Sequence, residues 1–508
     1  MEGIAMQRDF DVLIVGAGLS GIGAARYLKV KCPEKSFAVL ESKPEMGGTW
    51  NLFRYPGIRS DSDMYTMGYA FKPWTNPKSI SHGDIILNYI KETSAENGID
   101  AHINYGRKVV SASYDSKNTR WTLEIDHNGT PETWTCNMLF GCSGYYMHDE
   151  GYLPEWEGYD DFEGTLVHPQ FWPEDLDYAG KRIAIIGSGA TAVTLLPSLA
   201  KTAAHVVQVQ RSPTYIVNRP SEDKWANRFR RFLPAKLAYA LSRWRIILDG
   251  RMRRQKMAKN IKGAKRFLIG EVAKEVGDAV DWKTHFVPEY WPGQQRICAV
   301  PDGDMFEPLK TGKASIHTGH IERFTKTGLQ MQDGTHIDAD IIITATGLKL
   351  HFLGGMQVSV DQQQIDPSKL LIFKGFMYSN VPNLIYFSGY TNASWTLKVD
   401  LVAEFACRLL RHMDRIGARQ VVPVASAEDL AQTSESIKFT SGYFLRSLKD
   451  LPKHGKAFPW IHEQDYLWDR KTLKRGKVDD GALTFSKGDP MILPQEQVRR
   501  EAAEIAAQ

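Results

Sequence analysis

A chain of 508 residues is too long for one core and calls for two or three domains, each burying its own interior. Apolar residues make up 43% and charged residues 24%, mean hydropathy is -0.34, and no apolar run is long enough to span a bilayer. A net charge of +4 singles out no polyanionic partner. Five scattered cysteines (Cys32, Cys136, Cys142, Cys298, Cys407) form no C-x-x-C or C-x-x-x-x-C pair and, being odd in number, suggest no disulfide framework. Cys136 and Cys142 flank an apolar strand and are expected in the core. No His/Cys cluster has zinc spacing, so no metal is expected. The first residues lack a signal core and a cleavage site, which predicts a cytoplasmic location.

In chain order, the first element is an apolar strand, Asp11-Val-Leu-Ile-Val15. It runs into Gly16-Ala-Gly-Leu-Ser-Gly21 and then a helical pattern from Ile22 to Val30. In a dinucleotide loop Gly16 makes the tight turn, Gly18 admits a pyrophosphate and Gly21 allows close helix–strand packing. The helix N-terminus, with Ser20 in its first turn, offers free amides to the phosphates. A second strand, Phe37-Ala-Val-Leu-Glu41, ends in the acid expected on a ribose hydroxyl pair. Strand, loop, helix, strand and Glu41 together predict FAD at this N-terminal site.

The strand Leu139-Phe-Gly-Cys-Ser-Gly144 marks where the chain leaves the first domain, and Asp340-Ile-Ile-Ile-Thr-Ala-Thr-Gly347 marks its expected return. Between them the pattern repeats at Arg182-Ile-Ala-Ile-Ile-Gly187-Ser188-Gly189-Ala190-Thr191-Ala192. Here the following strand, Val206 to Gln210, ends in Arg211-Ser212 rather than in an acid. A guanidinium there pairs with a 2′-phosphate that a carboxylate would repel, so the second nucleotide is expected to be NADPH. The fold class is therefore α/β, with two Rossmann-like dinucleotide-binding domains, the second inserted in the first, and a helical subdomain. The expected boundaries are 1–150 and 340–508 for the FAD domain, 151–222 and 291–339 for the NADPH domain, and 223–290 for the helical insertion.

Within that insertion, residues 224–270 hold fifteen Lys or Arg and one acid, Asp249. Trp225, Phe229, Phe232, Leu237, Leu241, Trp244 and Leu248 recur at helical spacing, with Pro234 as a break. Such a segment either packs on the second domain with a solvated basic face, or docks peripherally on an anionic membrane. No reading motif accompanies the charge, so nucleic acid is not an expected partner.

Phe162-Glu-Gly164-Thr-Leu-Val-His168-Pro-Gln-Phe-Trp172-Pro173 reads F-x-G-x-x-x-H-x-x-x-W-P. It resembles the fingerprint of the type I Baeyer–Villiger monooxygenases, in whose N- and S-oxidising flavin-containing relatives Tyr or Phe usually replaces the tryptophan. Gly47-Gly-Thr49-Trp50 with Tyr55-Pro-Gly-Ile-Arg59-Ser-Asp61 fits a second pattern of that family, G-G-x-W-x-x-x-x-Y-P-G-x-x-x-D. The segments at 54–63, 187–194, 210–215 and 389–398 resemble the subgroup of ethionamide-activating and long-chain alkane flavin monooxygenases.

The resemblance implies that Thr49, Trp50, Leu52 and Val109 contact FAD, that Arg59 helps bind NADP, and that Asp61 orients a catalytic arginine. That arginine matches Arg296 in Gln294-Gln295-Arg296; many relatives carry lysine where Gln295 stands, which leaves more of the phosphate binding to Arg211 and Ser212. It further implies an NADPH- and oxygen-dependent conversion of a small hydrophobic ketone to an ester or lactone through a C4a-peroxyflavin. A fixed guanidinium stabilises the anions of that chemistry. Oxygenation of sulfur compounds is the expected side activity.

From the residues alone, Asp61 also reads as an N-cap for a helix at Met64-Tyr65. His168 reads as a hinge histidine rather than a general base, and Gly164 as a turn. Two rivals remain at this stage: an N/S-oxidising monooxygenase, which product analysis on a ketone and a sulfide separates, and a colourless binding protein that has lost catalysis.

Overall fold

The computed structural model describes residues 8–434 and 439–488. β1 (Arg8–Val15) leads into α1 (Leu19–Lys31), and β2 (Phe37–Leu40) returns parallel to β1 with Val12 opposite Phe37. The parallel pair requires that crossover helix. The short helices α2 (Thr49–Leu52) and α3 (Met64–Met67) and the longer α4 (Gly83–Glu96) follow. β3 (Ile103–Asn104) extends the sheet beside β2. β4 (Arg107–Asp115), β5 (Arg120–His127) and β6 (Thr130–Gly141) form an antiparallel meander, and β6 lies parallel to β1 on its other edge. Alternation along β5 buries Trp121, Leu123 and Ile125 on one face.

The chain leaves this sheet through β7 (Tyr146–Gly151) and enters a second one. Its strands are β8 (Thr165–Val167), β9 (Arg182–Ile186) and, after α5 (Ala190–Leu199), β10 (His205–Gln210). β11 (Ile216–Arg219) leads into the helices α6 (Lys224–Phe232), α7 (Ala235–Lys259), α8 (Ile261–Val276) and α9 (Trp282–His285). β12 (Cys298–Pro301) pairs with β11, and α10 (Phe306–Lys310) precedes β13 (Ala314–Thr318). An antiparallel trio, β14 (Ile321–Thr325), β15 (Gly328–Met331) and β16 (His336–Asp338), comes before β17 (Ile341–Thr344). The sheet order is β13-β10-β9-β17-β8, parallel throughout.

The expected return at 340–347 is therefore corrected: Ile341–Thr344 lies between β8 and β9 in the second sheet. A central parallel strand is apolar on both faces, so its residues carry no mark of which sheet they join. The return runs through β18 (Leu348–Leu350), antiparallel to β7. β19 (Gln357–Val360) then joins β4, with β20 (Gln363–Gln364) at its edge, and Leu384–Tyr386 lies along β6. α11 (Trp395–Ile416) packs on α1.

The helical insertion does more than pack on the second sheet. Val272 and Val276 of α8 join that domain's core. α7, however, reaches the first domain, where buried Arg243 donates to the carbonyls of Tyr65 at 2.9 Å and Gly68 at 2.7 Å and to Asp400 Oδ2 at 3.0 Å. Burial pushes the Asp400 carboxyl up to about 6 even beside Arg243. Breaking a buried pair from one side costs about 3–5 kcal/mol, whereas replacing both partners by apolar groups is often neutral. Arg243→Ala should therefore lower the thermal midpoint markedly, and Arg243→Met with Asp400→Leu should recover most of the loss. Calorimetry on the three proteins checks this.

Candidate active site

One cavity of about 760 Å³ runs along the C-terminal ends of β1 and β6 and across to α5. At its first wall Gly16 takes φ +105°, where a Cβ would sit 2.6 Å from the Cys142 carbonyl oxygen. A Cβ on Gly21 would lie 1.8 Å from the Gly16 oxygen, so helix and loop approach as closely as the glycine pattern requires. α1 begins at Gly18 with no side-chain cap, which leaves its first amides facing a phosphate-sized opening. Glu41 is buried, accepts from the Ala17 amide at 2.8 Å and the Lys43 amide at 2.9 Å, and burial pushes its pKa up. Ser143 Oγ, on the same wall, is buried without a partner. An orphaned hydroxyl beside uncapped amides and a ribose-directed acid fits a bound dinucleotide.

The Ser20 hydroxyl accepts from Trp395 Nε1 at 2.8 Å, and the Trp395 ring stacks on Tyr145 at 5.4 Å. The Thr49 hydroxyl bonds the Tyr146 hydroxyl, and Trp50 and Val109 line the cavity. Leu52 is not part of the lining; its neighbour Phe53 is.

At the second loop Gly187 takes φ +139°, with a Cβ position only 2.3 Å from the Ala345 oxygen. A Cβ on Gly189 would meet nothing within 4 Å, and α5 starts there uncapped, so this loop too has room for a phosphate. Ala190 and Thr191 line the cavity, while Gly187 and Ser188 stand outside its lining. Arg211 and Ser212 are exposed at the end of β10, and no carboxylate among the described residues pairs with Arg211. Arg446, from the short helix Gly442–Ser447, stacks on the Tyr152 ring at 3.3 Å. Burial lowers the pKa of Arg446, and repulsion from nearby Arg211 lowers it further. Gln295 Nε2 donates to the Thr440 carbonyl at 3.4 Å.

Between the two loops Arg296 Nε stands 3.1 Å from Asp61 Oδ2. The Arg296 side chain is about half exposed and opens onto the cavity, and the Asp61 carboxylate is the main cause that raises its pKa. Tyr145 and Tyr443 also act on it. The capping role read for Asp61 belongs instead to Asp63, whose Oδ1 accepts from the Thr66 amide at 2.9 Å. Four acidic or hydroxyl candidates in a row, Ser60 to Asp63, make that cap ambiguous in sequence, and the register leaves Asp61 free for Arg296. Arg59 is buried in an ion pair with Asp304 while still lining the cavity.

The fingerprint lies outside the cavity lining. Phe162 is buried against Phe324 and Ile342. A Cβ on Gly164 would sit 2.4 Å from Phe162 and 2.5 Å from the Asp340 oxygen, so close packing demands this glycine rather than the turn expected. The His168 ring presses on Gly151 at the end of β7, its Nδ1 accepts from the Gln170 amide at 3.2 Å, and burial lowers its pKa. Trp172 packs edge-on to Tyr178, and Pro173 follows it into the loop. Tyr145, Tyr443, Arg446 and His454 escaped the sequence reading, because no local string marks them.

A cavity that runs from the first glycine loop to Ala190 and Thr191 behind the second, with an acid–arginine pair between them, defines an α/β protein of the two-dinucleotide class. The chain belongs to the flavin-binding monooxygenase-like family, whose description matches residues 11–270. It is 48% identical over 483 residues to the FAD-containing monooxygenase EthA of Mycobacterium tuberculosis (strain ATCC 25618 / H37Rv), covering 95% of this chain and 99% of the relative. It is 45% identical over 484 residues to the probable FAD-binding monooxygenase AlmA of Acinetobacter baylyi, covering 95% and 97%. Among solved structures it superposes on an oxidized steroid monooxygenase bound to NADP with a TM-score of 0.76, at 19% identity over 94% of this chain and 100% of that one. A cyclohexanone monooxygenase holding ε-caprolactone gives 0.75, also at 19% identity, over 94% and 100%. At that identity the likeness is one of fold.

Proposed function

We propose that this protein binds FAD at the first loop and NADPH at the second, and inserts an oxygen atom from O2 next to the carbonyl of an apolar ketone. The observation that carries this reading is the Arg296–Asp61 pair on the wall of a cavity that both loops share. Gly16, Gly18, Gly21, Ser20 and Glu41 would hold FAD, with Thr49, Trp50 and Val109 along the cavity. Gly187, Ser188, Gly189, Ala190, Thr191 and Arg59 would hold the body of NADPH, and Arg211, Ser212 and Arg446 its 2′-phosphate. Bound flavin, reduced by NADPH, supplies the reducing equivalents and the oxygen-transfer chemistry. The protein supplies charge and shelter. Arg296, protonated at all working pH values, sets a guanidinium where negative charge develops on the carbonyl oxygen of the substrate. Asp61 fixes the orientation of that group and balances its charge. Tyr145, Trp395 and Phe53 exclude water from the cavity. Sulfide or thioamide oxygenation is a secondary activity of the same site.

Removing Arg296 takes away a group that acts on developing charge, while both nucleotide loops stay intact. Arg296→Ala is expected to purify with FAD and to form no ester from a ketone panel, and ester at the wild-type rate would overturn the assignment. Arg211→Ala removes charge-assisted bonds worth about 1.5–3 kcal/mol each, which is on the order of tenfold to a hundredfold in efficiency. That loss should fall on NADPH and spare NADH in steady-state assays.

A second reading concerns where the protein works, and the helical insertion favours it. Of the seventeen large apolar side chains exposed among the described residues, seven lie in 224–270, including Trp225 and Phe232 on α6. On α7 the exposed Leu237, Leu241, Leu248 and Met252 fall on one side of the helix. Lys236, Arg253 and Lys256 beside them have no acidic partner among the described residues, whereas Arg251 pairs with Asp465. No helix among the described residues is long and apolar enough to cross a membrane. An apolar stripe with basic flanks suits docking on an anionic lipid surface, from which apolar ketones would enter. The protein is expected to pellet with anionic vesicles at low salt and release as ionic strength rises. Glutamate at Lys236, Arg253 and Lys256 should abolish pelleting without changing flavin content, and absence of pelleting at low salt would leave the stripe a solvated face.

A further inference from the structure

The C-terminal segment brings a charged network to the cavity wall that oxygen transfer does not use. Lys398, in the first turn of α11, is fully buried and donates to Asp469 Oδ2 at 2.8 Å and to the Lys374 carbonyl at 3.1 Å. The same Asp469 oxygen accepts from the Tyr390 hydroxyl at 2.6 Å and lies 3.5 Å from His462 Nε2. His462 is tied through Nδ1 to Gln464 at 3.1 Å. The charges in this cluster therefore cancel within it, although His462 Nε2 is left without a hydrogen bond.

His454 stands beside this cluster. It is only 6% exposed, it lines the cavity, and its ring lies 5.8 Å from that of His462. Yet the ring makes no hydrogen bond to any described residue. Burial, and after it the neighbouring His462 and Lys398, push its pKa down to about 4. Near neutral pH it is a neutral imidazole with one N–H and one bare nitrogen. Buried polar groups are nearly always satisfied, so an unengaged ring facing a cavity calls for a partner inside that cavity. Ile372, Leu451, Pro452 and Phe444 give the same cavity apolar lining. Arg296 answers to Asp61, Tyr145 and Tyr443, and His454 to His462 and Lys398.

We propose that His454 anchors an uncharged hydrogen-bonding group, such as a hydroxyl, on an otherwise apolar substrate, remote from the carbonyl that reacts. This inference rests on the reading of the cavity as an oxygenation site. An anionic group is not the favoured occupant, because the Lys398 charge is already balanced by Asp469 and the imidazole is neutral. The substrate class is thus a bifunctional chain or ring, a ketone that carries a second polar group along an apolar body.

The test uses FAD-loaded protein with two probes, 2-decanone and 10-hydroxy-2-decanone, and reads dissociation constants from the perturbation of the flavin absorbance. Wild type should bind the hydroxyketone more tightly. One net hydrogen bond corresponds to about twofold to tenfold in affinity. His454→Leu should raise the Kd of the hydroxyketone by that factor and leave 2-decanone within about twofold. His454→Gln, which keeps an N–H, should restore most of the difference. An equal change for both probes, or no preference in wild type, overturns the anchor. Neither probe binding overturns both the anchor and the ketone reading. Selective binding with no ester from either probe leaves the anchor standing and refutes ketone oxygenation, whereas ester from both with no selectivity does the reverse.

Discussion

The placing of one sheet against the other depends first on the antiparallel pairing of β7 with β18, where the chain crosses between its two sheets in both directions. Gly151 faces Leu348 and Tyr146 faces Leu350. The Thr346 hydroxyl donates to the Tyr152 carbonyl at 2.5 Å beside the junction, and His168 packs on Gly151. Two connections restrain one body against another far more than one does. Asp61 comes from the first domain and Arg296 from the second, and they meet at 3.1 Å because that junction sets their separation. A half-exposed ion pair contributes only about 0–1 kcal/mol. The scaffold therefore makes the pair, and the pair does not make the scaffold.

α7 is a second restraint of a different kind. It belongs in sequence to the inserted domain but spends its one buried arginine on carbonyls next to α3 and on Asp400 of α11. The cost of burying that guanidinium is met by several acceptors at once, which is the condition under which a buried charge is tolerated. The same helix turns Leu237, Leu241, Leu248 and Met252 outward. Its inner side is thus committed to holding the two domains together, and its outer apolar side has no structural duty.

What could be read from the residues was what is written locally. Each glycine loop is a contiguous string with its own steric logic, and a Cβ at Gly16, Gly21 or Gly187 would collide with backbone as that logic requires. The Asp61–Arg296 pair came from resemblance, since neither residue has a local pattern that points to the other. The sheet of Ile341–Thr344 was misjudged because isoleucines buried on both faces suit either parallel sheet. Asp63 and Asp61 could not be told apart as caps until the helix register was known. His454, Tyr443 and Arg446 reach their places through tertiary folding of a C-terminal segment that carries no motif. The roles of Tyr443 and Arg446 follow from distant neighbours such as Arg296, Tyr152 and Arg211.

All five cysteines are buried, and none forms a disulfide. Burial pushes the thiols of Cys136 and Cys142 well up and that of Cys298 up to about 12, so these remain protonated at working pH. Oxidants attack the thiolate, and they need to reach it. Among the described residues the most exposed sulfur is the thioether of Met252, half exposed on α7. An oxidant arriving from solvent would then meet an external methionine first, where sulfoxide can be reduced again, and the buried thiols only after it.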